Sequence, residues 1–297
     1  MTELREPFKN PTGKAKFMAV YQTSLDLWPV PYEEFDILTR FGCTHVIASG
    51  PKEAPPLVLL HGYFATATMW SPNIAELSDD YRVYALDVMG QPSKSVPDQL
   101  IRTRQGFAEW LAAVFNGLSI EKACLAGMSY GGWLALNFAI LCPDRVEKLI
   151  LLSPAACFLP LVSQFYARVM PLIFFPVHFG VNNFMGWMTY KENLKDAHML
   201  ELYQRIVDLM YLGMKYFRMQ SGVPPIAFAD EELRGMEIPT LLLVGQQEVI
   251  YDPAAALECA RRLIPHIEAD LIQQASHDMV FSQSKNVNQR IMKFLRA

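Results

Sequence analysis

The sequence has little excess charge of either sign. Its 297 residues include 26 Lys and Arg and 30 Asp and Glu, which gives a formal net charge of −4 at pH 7. A nucleic-acid-binding protein usually carries a basic patch or stripe, and no run of Lys and Arg stands out in this chain. We therefore expect no nucleic acid among its partners.

The sequence also lacks a hydrophobic run that could cross a membrane. Its most apolar stretch, residues 169–181, is interrupted by Pro171, Pro176 and His178, and it is shorter than the about 20 residues that a spanning helix needs. Residues 1–7 have neither the basic start nor the apolar stretch of a secretory signal peptide. These absences predict a cytoplasmic protein with no integral membrane segment.

Cysteine is scarce, and its spacing does not match the common metal sites. The five cysteines are odd in number and form no Cys-x-x-Cys or Cys/His pattern. Scattered thiols of this kind are typical of a reducing compartment. We expect free thiols, no bound metal and no cofactor. The five residues are Cys43, Cys124, Cys142, Cys157 and Cys259.

What the sequence does have is a high apolar content, 52% of residues, in short runs that alternate with helical patterns. Residues 57–60 are apolar at every position, which is typical of a strand buried on both faces of a parallel sheet. The strand candidates are residues 44–48, 57–61, 82–87, 123–128, 148–153, 240–244 and 270–273. The helix candidates among them are residues 101–118, 131–141, 253–264 and 285–295. This order predicts an α/β fold with a mostly parallel central sheet flanked by helices.

Two segments depart from the alternation. Residues 1–43 are predicted to form an N-terminal extension, with a helix over 14–27, a Trp-Pro-Val-Pro breaker at 28–31 and an extended run to Arg40. Residues 154–230 are helical in pattern and rich in Phe and Met. They predict a helical cap inserted between two parts of one core, residues 44–153 and 231–297, better than a second independent domain.

Residues 127–131, Gly-Met-Ser-Tyr-Gly, carry the main chemical signal. They follow the apolar strand 123–128 and precede the helical run 131–141. A serine at such a strand-to-helix turn is held in a strained conformation that exposes its hydroxyl, and small residues two before and two after leave room for the turn. The pattern predicts Ser129 as a nucleophile, against the alternative of a glycine-rich turn with an incidental serine.

A serine nucleophile needs a histidine base, which follows the serine and an acid in the chain order of this kind of site. Of the six histidines, His266 and His277 lie beyond the predicted cap. His266 lies in a helix-to-strand connection and is expected to be exposed. His277 follows the last predicted strand, where a loop can reach back over the serine, so we expect it to be the base. A structural histidine is the alternative.

Two carboxylates compete for the role of the acid that orients the histidine. Glu248 lies in the turn three residues after Gly245, at the end of the strand 240–244, and glutamate can accept a hydrogen bond from the imidazole. Asp252 precedes Pro253, which is typical of the N-cap of a helix. We therefore favour Glu248 as the acid and keep Asp252 as the alternative.

Attack of a serine on a carbonyl carbon also needs two N–H groups that stabilise the oxyanion of the transition state. The residue after the nucleophile, Tyr130, is expected to donate one. The loop after the strand 57–61 begins His61-Gly62-Tyr63, and Tyr63 is expected to donate the other. His61 is expected to brace this loop rather than act as a base.

These residues resemble the α/β-hydrolase family from about residue 44 to the C-terminus. The family's Asp-x-x-Gly sequence is present as residues 87–90, and its Pro-Asp-Arg-Val sequence as residues 143–146. The chain is also similar to bacillary carboxylesterases of the naproxen-esterase kind, through residues 28–31, 44–47 and 248–253. That resemblance implies carboxylic ester hydrolysis with a glutamate in the triad. Gln91 departs from the family, where a second glycine usually follows Gly90, so the loop is expected to differ in shape.

The predicted cap indicates the class of substrate. Its Phe, Trp and Met residues suit an apolar, bulky or acyl-like ester, although most of them are expected to pack the cap onto the core. Arg168, Arg205 and Arg218 could bind a carboxylate, but a solvated helix face is the favoured interpretation. The apolar candidates are Phe158, Phe165, Phe174, Phe175, Phe184, Trp187, Met188, Met210 and Met214.

The nature of the nucleophile limits the reaction. A serine weighs against the dehalogenase and epoxide-hydrolase branches of the family, which the resemblance associates with aspartate. Lactonase, thioesterase, C–C bond hydrolase and acyltransferase activities remain as alternatives to ester hydrolysis, since all of them use the same Ser-His-acid chemistry. A ligand receptor with slow turnover is a further alternative. A small-molecule ester is the expected partner, and the oligomeric state is open.

Overall fold

The N-terminal part of the chain forms a helix and a β-hairpin. The computed structural model describes residues 6–218 and 223–297. Residues 1–5, part of the segment used for the signal-peptide expectation, and 219–222, inside the predicted cap, lie outside it. Helix α1 (Pro11–Leu25) starts and ends before the predicted bounds. It starts there because the Asn10 side chain accepts from the Gly13 N–H and Pro11 occupies the first turn. Strands β1 (Tyr32–Thr39) and β2 (Gly42–Ser49) then pair in antiparallel fashion.

The remaining strands join β1 and β2 in one central sheet. They are β3 (Pro56–Leu60), β4 (Arg82–Leu86), β5 (Val96–Pro97), β6 (Ala123–Met128), β7 (Val146–Leu152), β8 (Thr240–Gly245) and β9 (Glu268–Ile272). The strand order is β1-β2-β4-β3-β6-β7-β8-β9, with β5 paired to β2. Every pair from β4 to β9 is parallel, whereas β2 is antiparallel to its neighbours. The prediction of a mostly parallel sheet is confirmed.

Helices cover both faces of this sheet. Those of the core are α2 (Ser71–Asp80), α3 (Arg104–Gly117), α4 (Tyr130–Leu141), α9 (Pro253–Leu263), α10 (Met279–Ser282) and α11 (Ser284–Arg296). Within the segment predicted as a cap lie α5 (Ser163–Phe174), α6 (His178–Trp187) and α7 (Ala197–Tyr216), followed at its end by α8 (Asp230–Arg234). We refer to α5, α6 and α7 as the cap helices.

Alternate residues of one strand enter two different hydrophobic clusters. In β3, Val58 and Leu60 belong to the cluster on one face of the sheet, and Leu57 and Leu59 belong to the cluster on the other face. All four side chains are fully buried. This burial on both faces explains why the parallel strands are apolar at every position and not at alternate ones.

The predicted ends of several elements were wrong by one to three residues. Helix α3 begins at Arg104 and not at Ile101, because the Thr103 hydroxyl accepts from the Gly106 N–H and caps the helix there. Strand β3 begins one residue before its predicted start and ends at Leu60, one residue before its predicted end at His61. Helix α2 was not predicted, because its sequence is short and mostly polar.

The N-terminal extension packs against the last cap helix. The backbone N–H of Lys9 donates to the carbonyl of Tyr216 over 2.7 Å, and the N–H of Arg218 donates to the carbonyl of Pro7 over 2.8 Å. The Arg205 guanidinium donates to the Thr23 hydroxyl at 2.9 Å. The extension therefore holds α7 through these hydrogen bonds. In the described residues, no helix has the length and apolar character needed to cross a bilayer.

Candidate active site

Ser129 occupies a strained turn between β6 and α4. Its backbone has φ 54° and ψ −117°, outside the regions that L residues usually adopt. Two glycines make the turn sterically accessible. A Cβ on Gly127 would overlap the carbonyl of Gly131, and a Cβ on Gly131 would overlap the carbonyl of Leu60. Two backbone hydrogen bonds hold the turn. The Ser129 N–H donates to the Leu152 carbonyl over 2.9 Å, and the Ala155 N–H donates to the Ser129 carbonyl over 3.0 Å.

His277 lies beside this serine in the loop after β9. Its Nε2 is 2.9 Å from Ser129 Oγ, and its Nδ1 is 2.9 Å from Glu248 Oε2. A carboxylate can only accept, so Nδ1 carries the proton and Nε2 is left to accept from the serine hydroxyl. The loop is held in place because the Ser276 hydroxyl donates to the carbonyl of Gln247 over 2.8 Å.

Glu248 completes the chain of hydrogen bonds from a turn after β8. Its side chain is fully buried. Its Oε1 accepts from the backbone N–H groups of Val249 at 2.8 Å and Ile250 at 3.2 Å, while Oε2 accepts from His277. Burial alone would raise the pKa of Glu248, but the charge and hydrogen bond of His277 and the Ile250 N–H together hold that pKa below its ordinary value.

The competing carboxylate has a different role. Asp252 is exposed, and its Oδ1 accepts from the Ala255 N–H at 2.9 Å as the N-cap of α9, with Pro253 in the first turn. Between these two candidates, the structure brings Glu248 and not Asp252 to the histidine. His266 is exposed in the turn between α9 and β9.

The predicted oxyanion donors lie on either side of Ser129. Tyr130 is the first residue of α4, where an N–H has no acceptor within the helix. Tyr63 follows Gly62, and a Cβ on Gly62 would lie 3.5 Å from the Cβ of Ser129. The rings of Tyr63 and Tyr130 meet edge to face with centroids 5.1 Å apart. The loop bearing Tyr63 is therefore adjacent to the serine.

A buried histidine and a buried glutamine brace that loop. Burial lowers the pKa of His61, although the charge of Asp87 opposes the effect, so we assign a neutral ring. The Val88 N–H donates to His61 Nε2 at 2.9 Å, and His61 Nδ1 then donates to the Gly62 carbonyl at 2.8 Å. Gln91, the residue that departs from the family pattern, accepts from the Phe64 N–H at 3.1 Å.

An apolar pocket opens above Ser129 between the sheet and the cap helices. Its wall includes Tyr63, Thr189 and Asp278 besides the serine and histidine, and the remaining side chains are almost entirely apolar. Methionine is unusually frequent among them, which gives the wall an adaptable shape. The main apolar lining residues are Phe64, Met69, Met128, Phe165, Val169, Phe184, Met185, Met188, Ile206, Met210 and Phe281.

The structure divides the cap residues that were predicted to line the site. Phe165, Phe184, Met188 and Met210 line the pocket. Phe158 and Met214 are buried in the core of the molecule. For Phe174 and Phe175 the prediction was wrong, because their side chains are 68% and 79% exposed on the outside of the cap.

None of the three cap arginines lines this pocket. Arg168 is exposed and lies over the ring of Trp187 with its guanidinium carbon 4.8 Å from the centroid. Arg205 binds Thr23, and Arg218 donates to the backbone carbonyls of Glu6 and Phe8. The last two therefore hold the N-terminal extension, and none is in position to bind a carboxylate in the pocket.

Comparison with known proteins identifies the family of the chain. The sequence pattern of the alpha/beta hydrolase family matches residues 57–290. The chain belongs to this family. An α/β hydrolase similar to it is an uncharacterized carboxylesterase, nap, of Bacillus subtilis (strain 168), which is 43% identical over 283 residues, 95% of this chain and 93% of the relative. Carboxylesterase YbfK of the same organism is 38% identical over 286 residues, 94% of this chain and 93% of the relative.

Solved structures show the same likeness. The crystal structure of naproxen esterase from Bacillus subtilis superimposes on this hydrolase with a TM-score of 0.89 at 41% identity, covering 97% of this chain and 99% of the other. The predicted resemblance to bacillary carboxylesterases is confirmed. The prediction that the chain is an enzyme, a carboxylic ester hydrolase, is confirmed as well.

Sequence reasoning missed two residues of this hydrolase's site. Gln91 was expected only to change the shape of its loop, and its sequence position gives no sign that it binds the Phe64 N–H across 27 residues. Asp278 was not considered, although it follows His277 directly. It is 2% exposed, lines the pocket, and accepts from the Ser276 N–H through Oδ1 at 3.0 Å.

Proposed function

We propose that the chain hydrolyses carboxylic esters through an acyl-enzyme formed on Ser129. The observation that carries this proposal is the chain of two hydrogen bonds, each 2.9 Å long, from Glu248 through His277 to the Ser129 hydroxyl. These side chains come from three loops at the carboxyl ends of β6, β8 and β9, where catalytic groups gather in open α/β sheets.

The first half of the reaction forms the acyl-enzyme. His277 Nε2 takes the proton of Ser129 Oγ while that oxygen attacks the ester carbonyl carbon. The carbonyl oxygen becomes an oxyanion, which we propose is stabilised by the backbone N–H groups of Tyr63 and Tyr130, worth about 3–4 kcal/mol for each donor. His277 then gives its proton to the leaving alcohol oxygen as the C–O bond breaks.

Water completes the cycle by the reverse sequence. His277 Nε2 takes a proton from water, the hydroxide oxygen attacks the acyl carbon, and the proton returns to Ser129 Oγ as the carboxylic acid leaves. Glu248 keeps the Nδ1–H tautomer of His277 and stabilises the imidazolium that forms in both halves. Its lowered pKa supports this role, because the carboxylate stays ionised at neutral pH.

The pocket supports an apolar ester as the substrate. Its polar groups lie mainly at the catalytic end, and its methionine side chains can move to accept a bulky acyl or alcohol group. The likeness to naproxen esterase favours an aryl-bearing acid. We propose that residues 154–230 form the cap that selects this ester, and that the enzyme works in the cytoplasm.

The proposal is tested with a panel of p-nitrophenyl esters of increasing acyl length. Wild type should turn over many times, and Ser129→Ala should lose about 10⁶-fold in kcat, the order found when a serine nucleophile is removed. Ser163→Ala, an exposed residue of the cap, is the matched control and should behave as wild type. A phosphonate probe should label wild type but not Ser129→Ala.

Two outcomes would contradict the proposal. Undiminished turnover by Ser129→Ala would remove the serine from the mechanism. A single burst of product on every ester, without later turnover, would favour the slow ligand receptor over the hydrolase.

A further inference from the structure

The cap carries a large apolar surface on its outer side. Seven large apolar side chains between residues 166 and 179 are exposed, three of them by 68% or more. An exposed apolar patch on a protein surface often marks a site of interaction. We call these residues the outer cap face: Tyr166, Met170, Ile173, Phe174, Phe175, Val177 and Phe179.

Helix α5 presents apolar side chains in two directions. Residues 166, 170, 173 and 174 have the i, i+4, i+7, i+8 spacing of one helix face, and they are the exposed set. Residues 165, 169 and 172 form the neighbouring stripe, which faces the pocket and the core. A helix that is apolar on both sides is normally covered on both sides. The outer stripe of α5 is exposed among residues 6–218 and 223–297.

The same helices form the roof of the pocket. Phe165 and Val169 of α5 and Phe184 and Met185 of α6 line the pocket above Ser129. The outer cap face is on the other side of these two helices and on their connection. A surface that contacts the outer cap face therefore contacts the same helices that line the pocket.

Charge favours an anionic surface as the partner. No Asp or Glu occurs from Lys148 to Lys191, although the chain as a whole has a net charge of −4. Arg168 on α5 is exposed and makes no salt bridge within residues 6–218 and 223–297. Asp208 of α7 is paired with His178 of α6 at 2.7 Å. Pairing of two copies through this face would bring two Arg168 guanidinium groups to one interface, whereas an anionic surface would attract Arg168.

We propose that the outer cap face docks the hydrolase onto an anionic lipid–water interface. Phe174, Phe175 and Phe179 enter the boundary between headgroups and acyl chains, and Arg168 lies against the headgroups. Esters dissolved in the lipid then reach the pocket from the surface on which α5 and α6 rest. This delivery rests on the proposed ester hydrolysis, but the docking itself does not.

Docking is tested by co-sedimentation with two kinds of vesicle, phosphatidylcholine alone and phosphatidylcholine with about one-third phosphatidylglycerol. Wild type should bind the second kind. The double variant Phe175→Ser/Phe179→Ser should lower its partition coefficient at least about tenfold. Leu38→Ser, which changes a 73% exposed residue on strand β1, is the matched control and should bind as wild type.

Further measurements separate the parts of the proposal. Arg168→Gln should weaken binding to the anionic vesicles about fivefold, since each such cation contributes about 1 kcal/mol near an anionic surface. The double variant should hydrolyse a fully dissolved ester at the wild-type rate, and Ser129→Ala should bind vesicles as wild type does. A chain that binds vesicles but hydrolyses no ester would contradict the proposed function and leave docking supported.

Docking would be overturned by either of two results. The first is a vesicle assay in which wild type binds neither kind of vesicle or the double variant binds as well as wild type. The other is sedimentation velocity that shows wild type as a dimer and the double variant as a monomer, because the outer cap face would then be covered by a second copy.

Discussion

Replacing Glu248 by Gln should impair the hydrolase by changing the tautomer of His277. In the native site the Glu248 carboxylate accepts three hydrogen bonds, from the N–H groups of Val249 and Ile250 on Oε1 and from His277 on Oε2. A glutamine has only one accepting oxygen. The two backbone donors hold that oxygen on their side, so the amide NH₂ faces Nδ1 of His277.

The magnitude follows from that arrangement. To accept from the NH₂ group, Nδ1 must lose its proton, and the neutral ring then carries it on Nε2. Such a ring cannot accept the Ser129 proton, so we expect kcat to fall by about 10³–10⁴-fold, or about 4–5.5 kcal/mol in the barrier. The side chain keeps its size and stays in a fully buried position, so the fold should be retained.

The assay compares steady-state hydrolysis of one p-nitrophenyl ester by wild type, Glu248→Gln and Asp252→Asn. The control keeps its role, because asparagine caps a helix about as well as aspartate and can still accept from the Ala255 N–H. Its kcat should stay within about twofold of wild type. A loss of less than about tenfold in Glu248→Gln, or an equal loss in both variants, would refute the assignment of the acid. Circular dichroism and thermal unfolding check that the folds are intact.

Two further predictions concern stability. Asp278→Asn should raise the free energy of unfolding at pH 7 by about 1 kcal/mol. Burial raises the pKa of the Asp278 carboxyl, and its Oδ2 is buried without a partner in the described residues. An asparagine oxygen can still accept from the Ser276 N–H. Because the pKa is raised in the folded state, the ionised Asp278 destabilises the fold at pH values above that pKa, and this destabilisation disappears as the carboxyl is protonated. The gain in Tm of Asp278→Asn should therefore vanish near pH 3. A gain that stays constant with pH would contradict this cause. Gly127→Ala should prevent stable folding, because the added Cβ would overlap the Gly131 carbonyl. The control is Gly186→Ala, whose Cβ would meet no atom closer than 3.5 Å, and it should be neutral or stabilise α6 by up to about 1 kcal/mol. Thermal unfolding distinguishes the two variants.

Local chemistry explains how much of the core could be predicted. The strand over residues 123–128 was predicted with its observed bounds, because a run of buried apolar residues between turns has few alternatives. The start of α3 was missed because it depends on a capping bond of Thr103, which periodicity does not show. Boundaries are therefore set by single hydrogen bonds that the apolar pattern does not encode.

The cap shows a different limit of sequence reasoning. Phe165 and Phe174 both lie on α5 and look alike in the sequence, but one lines the pocket and the other is exposed. Both stripes of the helix are apolar, so the periodic pattern has no polar side that would show which direction is outward. Packing of α5 on α6 and the core decides it.

The sequence alone determined most strands of the sheet, the strand-to-helix turn around Ser129 and a short set of candidates for the base and the acid, because each of these depends mainly on neighbours within a few residues. Only the tertiary structure decided which candidates meet. His277 lies 148 residues from Ser129 and 29 from Glu248 in the chain, and the three hydrogen-bonded side chains come together because β6, β8 and β9 end at one edge of a parallel sheet. The same packing left an apolar face outside the cap. A sequence specifies which side chains share a face, but the element that covers the face is found elsewhere in the chain or outside it.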